Sequence, residues 1–392
     1  MLEHIMNIFA GRAAAPPDRK LSRTGPLVAV YAGGRPVWTP RDYAALAREG
    51  FLRNAVVFRC VRLIAEAAAS VPFVLSDGGR EFADHPLLDL LSRPNARQGR
   101  AAFLESVVGH LLVAGNAYVE AVSVEGAVRE LHALRPDRMR VVPGADGWPE
   151  GYDYSVGGQA VRFRAGDEAV PPVLHVALFH PLDDHYGLSP IEAAQTALDT
   201  HNAAAAWNKA LLDNSARPSG ALVYAGPDGA NLTDEQFERL KSELESQFQG
   251  AGNAGRPLLL DGGLDWKTIA LTPKDMDFVA ARDSAAREIA LAFGVPPMLL
   301  GLPGDNTFAN YQEANRALWR QTVLPLVSRI ADELAGWLAP AYGPERLRLM
   351  PDLDRIEVLA AERESLWRRV EAASFLTDDE KREAVGYAPR GR

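Results

Sequence analysis

The sequence predicts an α+β protein in which helices predominate, and three observations support this fold class. Long segments carry apolar residues at steps of three or four, which is the spacing of one helical face; Asp275–Phe293 is an example. Between residues 118 and 179 the pattern changes to short apolar segments separated by glycine-containing turns, as in a β-rich region. At 392 residues the chain exceeds one ordinary core, so more than one module is expected.

The first 190 residues are predicted to form a flexible arm followed by a mixed module. Residues 13–26 are rich in alanine, proline and arginine and have no periodic pattern, so residues 1–26 are predicted to form a flexible arm. Residues 27–190 are predicted to contain two helices and then several short strands. The predicted helices span 56–71 and 102–113, and the predicted strands span 118–124, 139–142, 161–164 and 173–179.

Two long helices are predicted to flank a small strand–helix–strand module. The first helix occupies 191–217, with Ser189 as its N-cap. The module at 218–272 contains predicted strands at 221–224, 257–260 and 266–269, and a helix that begins with a capping box formed by Thr233 and Gln236. The second helix occupies 273–293. It should end at Gly294, because two prolines follow and glycine readily adopts the left-handed conformation that ends helices.

The C-terminal third is predicted to be a polar loop followed by helices. The loop at 294–310 is rich in residues that permit unusual backbone angles, and it contains no residue set suited to catalysis. A long helix at 311–340 should be kinked at Pro325. Within the C-terminal region, 341–392, residues 352–388 are predicted to be helical again, amphipathic and highly charged.

The composition excludes several classes of protein. A hydrophobic content of 47% and a charged content of 24% are ordinary for a soluble globular chain. Cys60 is the single cysteine and lies on the apolar face of a predicted helix, so we expect a buried thiol and no disulfide framework. The net charge of −9 argues against a clamp that binds DNA by neutralising phosphates. We recognise no signal peptide or membrane span, so synthesis in the cytosol is expected.

Motifs spread over residues 51–389 share their order and spacing with one known family. They are VVFRCVRLIAEAAASVP at 56–72, HPLL at 85–88, RPN at 93–95, GNAY at 115–118, YGLSP at 186–190, REIALAFGVPPMLLG at 287–301, NTFANYQEANRALWRQTVLPLVSRIADELAGWL at 306–338, FLTDDEKR at 375–382 and GYAP at 386–389. Each is weak alone. Together they closely resemble the portal proteins of long-tailed, lambdoid-type bacteriophages and of the related gene transfer agents, although Asp379 stands where asparagine is more typical.

This resemblance implies a mainly α portal fold that assembles as a ring of about twelve subunits. Its parts would be a flexible arm (1–26), a β-rich wing (27–190), a two-helix stem (191–217 and 273–293), a small α/β clip (218–272), a channel loop (294–310), a kinked wing helix (311–340) and C-terminal crown helices (341–392).

The resemblance also implies a mechanical function. The ring would occupy one capsid vertex, nucleate capsid assembly with the major capsid protein, dock the terminase during DNA packaging, and later bind the head–tail adaptor. Double-stranded DNA would pass through the channel without sequence specificity during packaging and ejection. The protein would be found in the virion, and in the bacterial host cytoplasm during assembly. No cofactor, metal, membrane or catalytic residue is expected, and the sequence does not distinguish a phage from a gene transfer agent.

Three sets of residues are candidates for this function. The candidate residues of the channel loop are Gly304, Asp305, Asn306, Thr307, Phe308 and Asn310. The neutral polar groups among them, Asn306, Thr307 and Asn310, would let DNA slide through the channel. An acidic clip surface would contact terminase or adaptor through Glu243, Glu245, Asp261 and Asp265. The helices should bury their remaining apolar residues only between subunits, at Phe278, Ile289, Trp319 and Trp337.

An enzyme remains the alternative function. His180, Asp183 and His185 have the residue types that bind divalent ions, so a metal-dependent hydrolase is conceivable. Their spacing matches no familiar metal motif, however, and the neighbouring proline and glycine favour a solvated loop in which the aspartate caps the backbone. A scaffold protein unrelated to viruses is a third possibility.

Overall fold

The computed structural model describes residues 38–77, 80–164, 169–213, 220–224, 233, 235–236, 238–239, 242, 264–268, 278–304, 307–342 and 346–387. The chain divides into two compact units. The larger consists of Trp38–Asn208 and Asp277–Arg392, and the described residues of the smaller lie within Lys209–Met276. Both helices and antiparallel sheets are present, so the predicted mixture of helix and sheet is confirmed.

The helices begin and end where side chains or special backbone angles allow it. Asn54 accepts hydrogen bonds from two backbone amides at the start of one helix, and Gly115, at a φ of 72°, ends another. In chain order the described α-helices are α1 Tyr43–Ala45, α2 Ala55–Ser70, α3 Pro86–Ser92, α4 Arg100–Ala114, α5 Pro190–Ala193, α6 Gln195–Asp213, α7 Phe278–Ala292, α8 Phe308–Leu318, α9 Leu324–Leu338, α10 Ala360–Glu371 and α11 Asp378–Ala384.

The described strands form four antiparallel sheets. Three lie in the larger unit, with strand orders β11-β1-β2, β4-β3-β8 and β5-β6-β7, and the fourth pairs β9 with β10 in the smaller unit. The strands are β1 Phe73–Ser76, β2 Glu81–Phe82, β3 Asn116–Val124, β4 Ala127–Leu134, β5 Met139–Pro143, β6 Pro149–Val156, β7 Gln159–Arg164, β8 Val173–Ala177, β9 Gly220–Tyr224, β10 Leu264–Thr268 and β11 Arg348–Pro351. The wing strands expected from the sequence are therefore present, together with others that it did not predict.

Helix α2 lies within the core of the larger unit. Its apolar face packs against α4 and α7, and Ile64 and Cys60 are completely buried there. Burial raises the pKa of the Cys60 thiol to about 12, so this side chain is an inert core residue, as the sequence predicted.

The long helix differs from its prediction at both its start and its middle. It begins at Phe308, where Thr307 Oγ1 accepts a hydrogen bond from the amide of Asn310, rather than near Tyr311. A π-helical segment, Trp319–Val323, separates α8 from α9. Pro325 directly follows this segment, and because Leu318, Val323 and Leu324 all keep helical backbone angles, the helix continues through a π turn next to the proline.

Two other helical predictions also divide into shorter elements. The helix expected from Ile191 is α5 followed by α6, because Ala194 leaves the helical region at a ψ of 13°; Ser189 Oγ caps α5 as predicted. The C-terminal region contains two short 3₁₀ turns, α10 and α11. Thr377 begins α11 with a complete capping box, and such a cap starts a new helix rather than continuing the old one.

The smaller unit is described only in part. β9 pairs with β10, and Leu222 lies opposite Trp266. The capping box predicted at Thr233 is confirmed, since its amide donates to Gln236 Oε1 at 3.0 Å and its hydroxyl accepts from the Gln236 amide at 3.3 Å. The strand predicted at 257–260 lies outside the described residues.

Candidate functional site

The candidate channel segment begins where α7 ends. Gly294 has a φ of 65°, and its amide and that of Val295 donate to the carbonyls of Leu291 and Ala290, which closes the helix as the sequence predicted. Thr322 Oγ1, from the π-helical segment, donates to the Gly294 carbonyl at 2.7 Å. A Cβ atom at position 294 would lie 2.7 Å from that hydroxyl. Glycine is therefore needed here both for its backbone angle and for the close approach of the next helix.

The first half of the loop is held against α7. Pro297–Leu300 form a 3₁₀ turn that ends at Gly301, with a φ of 74°, and the side chains of Leu299 and Leu300 pack against the core. Arg287 Nη2 donates to the carbonyl of Pro303 at 2.6 Å. These contacts fix the loop up to Pro303.

The residues assigned to the channel divide between a loop and a helix. Gly304 is exposed in the loop, whereas Phe308 and Asn310 lie in the exposed first turn of α8, with Thr307 as its N-cap. Asp305 and Asn306 lie outside the described residues. The earlier helix start follows from the Thr307 cap, because threonine satisfies an amide of the first turn. The loop assigned to 294–310 is thus shorter than expected.

The residues assigned to the subunit interface fall mainly in the core of the single chain. Ile289 is completely buried and Trp337 is only 7% exposed, with its indole nitrogen donating to the Pro171 carbonyl at 2.8 Å. Both are therefore buried without a neighbour, which corrects the expectation that only the oligomer would cover them. Trp319 is half-buried in the π-helical segment. Phe278 begins α7, and its side chain is not among those described.

The residues assigned to the clip surface stay largely untested. Asp265 lies on β10 opposite Val223, and nothing is described of its side chain. Glu243, Glu245 and Asp261 lie outside the described residues.

The residues considered for a hydrolase are used to build a loop. Asp183 Oδ1 accepts from the amides of His185 and Tyr186 at 2.8 and 2.9 Å, and His180 Nδ1 accepts from the amide of Leu182 at 3.1 Å. Burial is the largest single influence on the pKa of Asp183 and acts to raise it. The two hydrogen bonds from backbone amides act to lower it, and the pKa lies below its ordinary value. Within the described ranges no group of three His, Cys, Asp or Glu side chains is placed to hold a metal ion. This is the backbone capping that the loop sequence favoured.

A buried group formed by His175, Tyr118 and Asn116 contacts the end of this loop at Gly187. His175 stacks on Tyr118, with ring centroids 4.3 Å apart, and its Nε2 lies 2.9 Å from Asn116 Oδ1. Because that oxygen also accepts from the Gly187 amide, His175 Nε2 must be the donor, so the neutral ring carries its proton there. The motif GNAY contains Asn116 and Tyr118, but nothing in the sequence predicted their contact with His175.

Burial makes the fold sensitive to acid through two histidines. It lowers the pKa of His175, which His185 also depresses, and the pKa of His110, each to about 4. An unfolded histidine titrates near 6.5, so between that pH and about 4 the unfolded chain binds more protons. The free energy of unfolding should therefore fall as the pH falls through this window, by up to about 2 kcal/mol per histidine at pH 5.

Thermal unfolding at about pH 7 and about pH 5 tests this expectation, because most carboxylates titrate below that range. His175→Gln keeps a hydrogen-bond donor but cannot be protonated. Lowering the pH from about 7 to about 5 should therefore decrease the Tm of the variant by less than that of the unchanged protein. Equal losses in the two proteins would contradict the role assigned to His175.

None of the described helices is long and apolar enough to cross a membrane. The described part of the chain combines a mixed α/β unit with a fixed break between two helices, and the side chains of His180 and Asp183 cap the backbone of their own loop.

Comparison with known proteins gives the family. A family model described as "Phage portal protein" matches residues 55–386. The chain is 56% identical to a chain in the neck of a native gene transfer agent particle computed with C12 symmetry, with a TM-score of 0.68 and coverage of 94% of this chain and 100% of the other. It is 42% identical to a protein of Rickettsia bellii (strain RML369-C), over 86% of this chain and 88% of that one. It is 27% identical to the portal protein of Enterobacteria phage HK97, over 88% and 79% of the two chains.

The chain belongs to the phage portal protein family. The resemblance inferred from the motifs is confirmed, and portal function is favoured over the hydrolase alternative.

Proposed function

We propose that this protein forms a ring of about twelve copies at one capsid vertex of a tailed-phage-like particle and conducts DNA through its centre. The observation that carries the proposal is its similarity, over nearly the full length of both chains, to a chain in a gene transfer agent neck computed with C12 symmetry. In this function the ring nucleates capsid assembly with the major capsid protein, docks the terminase and later binds the head–tail adaptor. It belongs to the virion, after assembly in the bacterial cytoplasm, and has no catalytic activity.

The clip is proposed as the docking surface for terminase or adaptor. Residues 219–271 contain four Lys or Arg and eight Asp or Glu, which leaves a charge of −4, and Glu243, Glu245, Asp261 and Asp265 belong to this acidic set. Such a surface would attract a basic partner with a salt-dependent association rate.

The channel contact is proposed for Gly304–Asn310. Gly304, Thr307, Phe308 and Asn310 are exposed, and Arg287 on α7 donates to the Pro303 carbonyl just before them. Thr307, Asn306 and Asn310 offer neutral polar groups, which can touch phosphates without releasing counterions. DNA can therefore slide past them without being held.

Purified protein tests the assembly directly. Size-exclusion chromatography with light scattering should give a species of several hundred kilodaltons, and electron micrographs should show rings with a central channel. A protein that stays a 42.5 kDa monomer under all conditions, and in particle-producing cells, would contradict the portal function.

Arginine in the channel should slow DNA movement. Replacing Asn306 and Asn310 by arginine adds two positive charges per subunit, and each phosphate that is neutralised increases binding through counterion release. We expect intact rings and shorter packaged DNA, with the defect growing as salt is lowered. Packaged DNA length per particle is the measurement.

Glutamine at the same two positions is the matched control, because it lengthens the side chains without adding charge. Normal, salt-independent filling by the arginine variant would show that these residues do not contact DNA.

A further inference from the structure

A loop on the larger unit is held rigidly at both ends. In this segment, Leu178–Gly187, which we call the anchor loop, the Leu178 amide donates to the Gly115 carbonyl at 2.8 Å and the Gly187 amide donates to Asn116 Oδ1 at 2.8 Å. Gly115 and Gly187 approach so closely that a Cβ on either would lie 2.1–2.2 Å from the carbonyl oxygen of the other. Both ends of the loop are thus fixed to the start of β3.

The interior of the anchor loop is held by its own side chains. His180 caps the Leu182 amide, and Asp183 caps the next turn. The result is that Phe179 is 79% exposed and Leu182 is 91% exposed. Because the backbone of this loop is already held by hydrogen bonds, it has less backbone entropy to lose when its exposed apolar side chains bind, which is an advantage of a preorganised contact.

A second exposed apolar surface lies around the N-terminal end of α2. The rings of Phe51 and Phe58 are 5.1 Å apart, Leu52 is 75% exposed, and Phe58 is 46% exposed. Arg59 follows directly, with half of its side chain exposed. We call Phe51, Leu52, Phe58 and Arg59 the aromatic patch.

The two surfaces have complementary charge. The anchor loop carries Asp183 and Asp184, both exposed, and Asp183 uses only Oδ1 for the backbone caps. The patch carries Arg59, whose ion pair with Glu66 is long at 4.0 Å. Its guanidinium can therefore donate a shorter hydrogen bond to another carboxylate. Opposite charges beside paired apolar groups favour one docking register over others.

We propose that the anchor loop of one subunit packs on the aromatic patch of the next subunit in the ring. This inference rests on the proposed ring. A closed ring needs two different surfaces of the same chain to meet head to tail, and the loop and the patch supply two such surfaces on separate elements. Phe179 and Leu182 would be the central anchors of the contact, and Asp184 would pair with Arg59.

Replacing both anchors by serine tests the apolar part. Since Phe179 and Leu182 are exposed in the single chain, Phe179→Ser with Leu182→Ser should leave the thermal unfolding of the subunit unchanged. Ring formation, followed by light scattering across a dilution series, should weaken by at least about tenfold. The matched control is Phe375→Ser, which removes an equally exposed phenylalanine (84%) from outside the proposed contact and should leave the ring intact.

Charge reversal tests the pairing. Asp184→Arg and Arg59→Asp should each weaken the ring, and the double variant should recover it, because the opposite charges then face each other again. Arg97→Asp, at another exposed arginine, is the control for a nonspecific effect of reversing a charge.

The outcomes separate this inference from the portal function. If the unchanged protein forms no ring, the proposed function fails first. If it forms rings and the double-serine variant forms them equally well, the anchor-loop contact is wrong. Serine variants that form normal rings but fail to enter particles would show that the loop binds a different protein, and would also overturn the proposal. If the double variant does not recover ring formation, Asp184 and Arg59 do not form an ion pair between subunits.

Discussion

Gly115→Ala is expected to lower the free energy of unfolding by about 3 kcal/mol or more. Gly115 has a φ of 72°, and an added Cβ would lie 2.2 Å from the Gly187 carbonyl oxygen, which is backbone and cannot rotate away. The left-handed conformation alone costs an alanine about 1–2 kcal/mol. The remainder comes from separating α4 and β3 from the anchor loop.

Gly301→Ala separates these two causes. Gly301 has nearly the same φ, 74°, but a Cβ there would meet nothing within 4 Å. Only the conformational cost of about 1–2 kcal/mol should appear. Chemical denaturation of both variants gives the comparison, and equal losses would show that the contact between Gly115 and Gly187 is not tight.

Ile289→Asp should unfold the subunit rather than release folded subunits from the ring. Ile289 is completely buried on α7 in the core of the larger unit. An unpaired carboxylate there costs several kcal/mol, which is comparable to the whole stability of a typical domain. We expect insoluble protein, or soluble protein that lacks cooperative unfolding, as measured by circular dichroism during heating.

Leu291→Asp is the control on the same helix. Leu291 is 79% exposed, so the same charge two residues further along should change the free energy of unfolding by less than about 0.5 kcal/mol. If Ile289→Asp instead yields a well-folded monomer with normal melting, α7 packs through this position against a neighbouring subunit and not within its own chain.

The end of α7 and the helix start at Thr233 show what local sequence can predict. Gly294 followed by two prolines ends α7 as expected, and the Thr233–Gln236 capping box forms as expected. Both are decided by residues a few positions apart, through backbone angles and short-range hydrogen bonds. The motifs were also sufficient to identify the portal family, since order and spacing along the chain need no coordinates.

Predictions that depended on which groups meet in space were less successful. Ile289 and Trp337 were assigned to a subunit interface, but α2 and the carbonyl of Pro171 cover them within the chain. An apolar helical face shows only that something packs against it, and does not identify the partner. The start of α8 was placed too late for a local reason, because the Thr307 cap was not recognised.

The sequence by itself determined the family, the mixed helical and β class, the glycine-proline break after α7 and the inert character of Cys60. Those features depend on composition, periodicity and short-range caps. Only the tertiary structure decided that Gly115 and Gly187 touch, that Thr322 donates to the Gly294 carbonyl, and that the anchor loop exposes two large apolar side chains. These contacts join residues up to 72 positions apart, and their formation depends on how helices and strands pack, which no local pattern specifies.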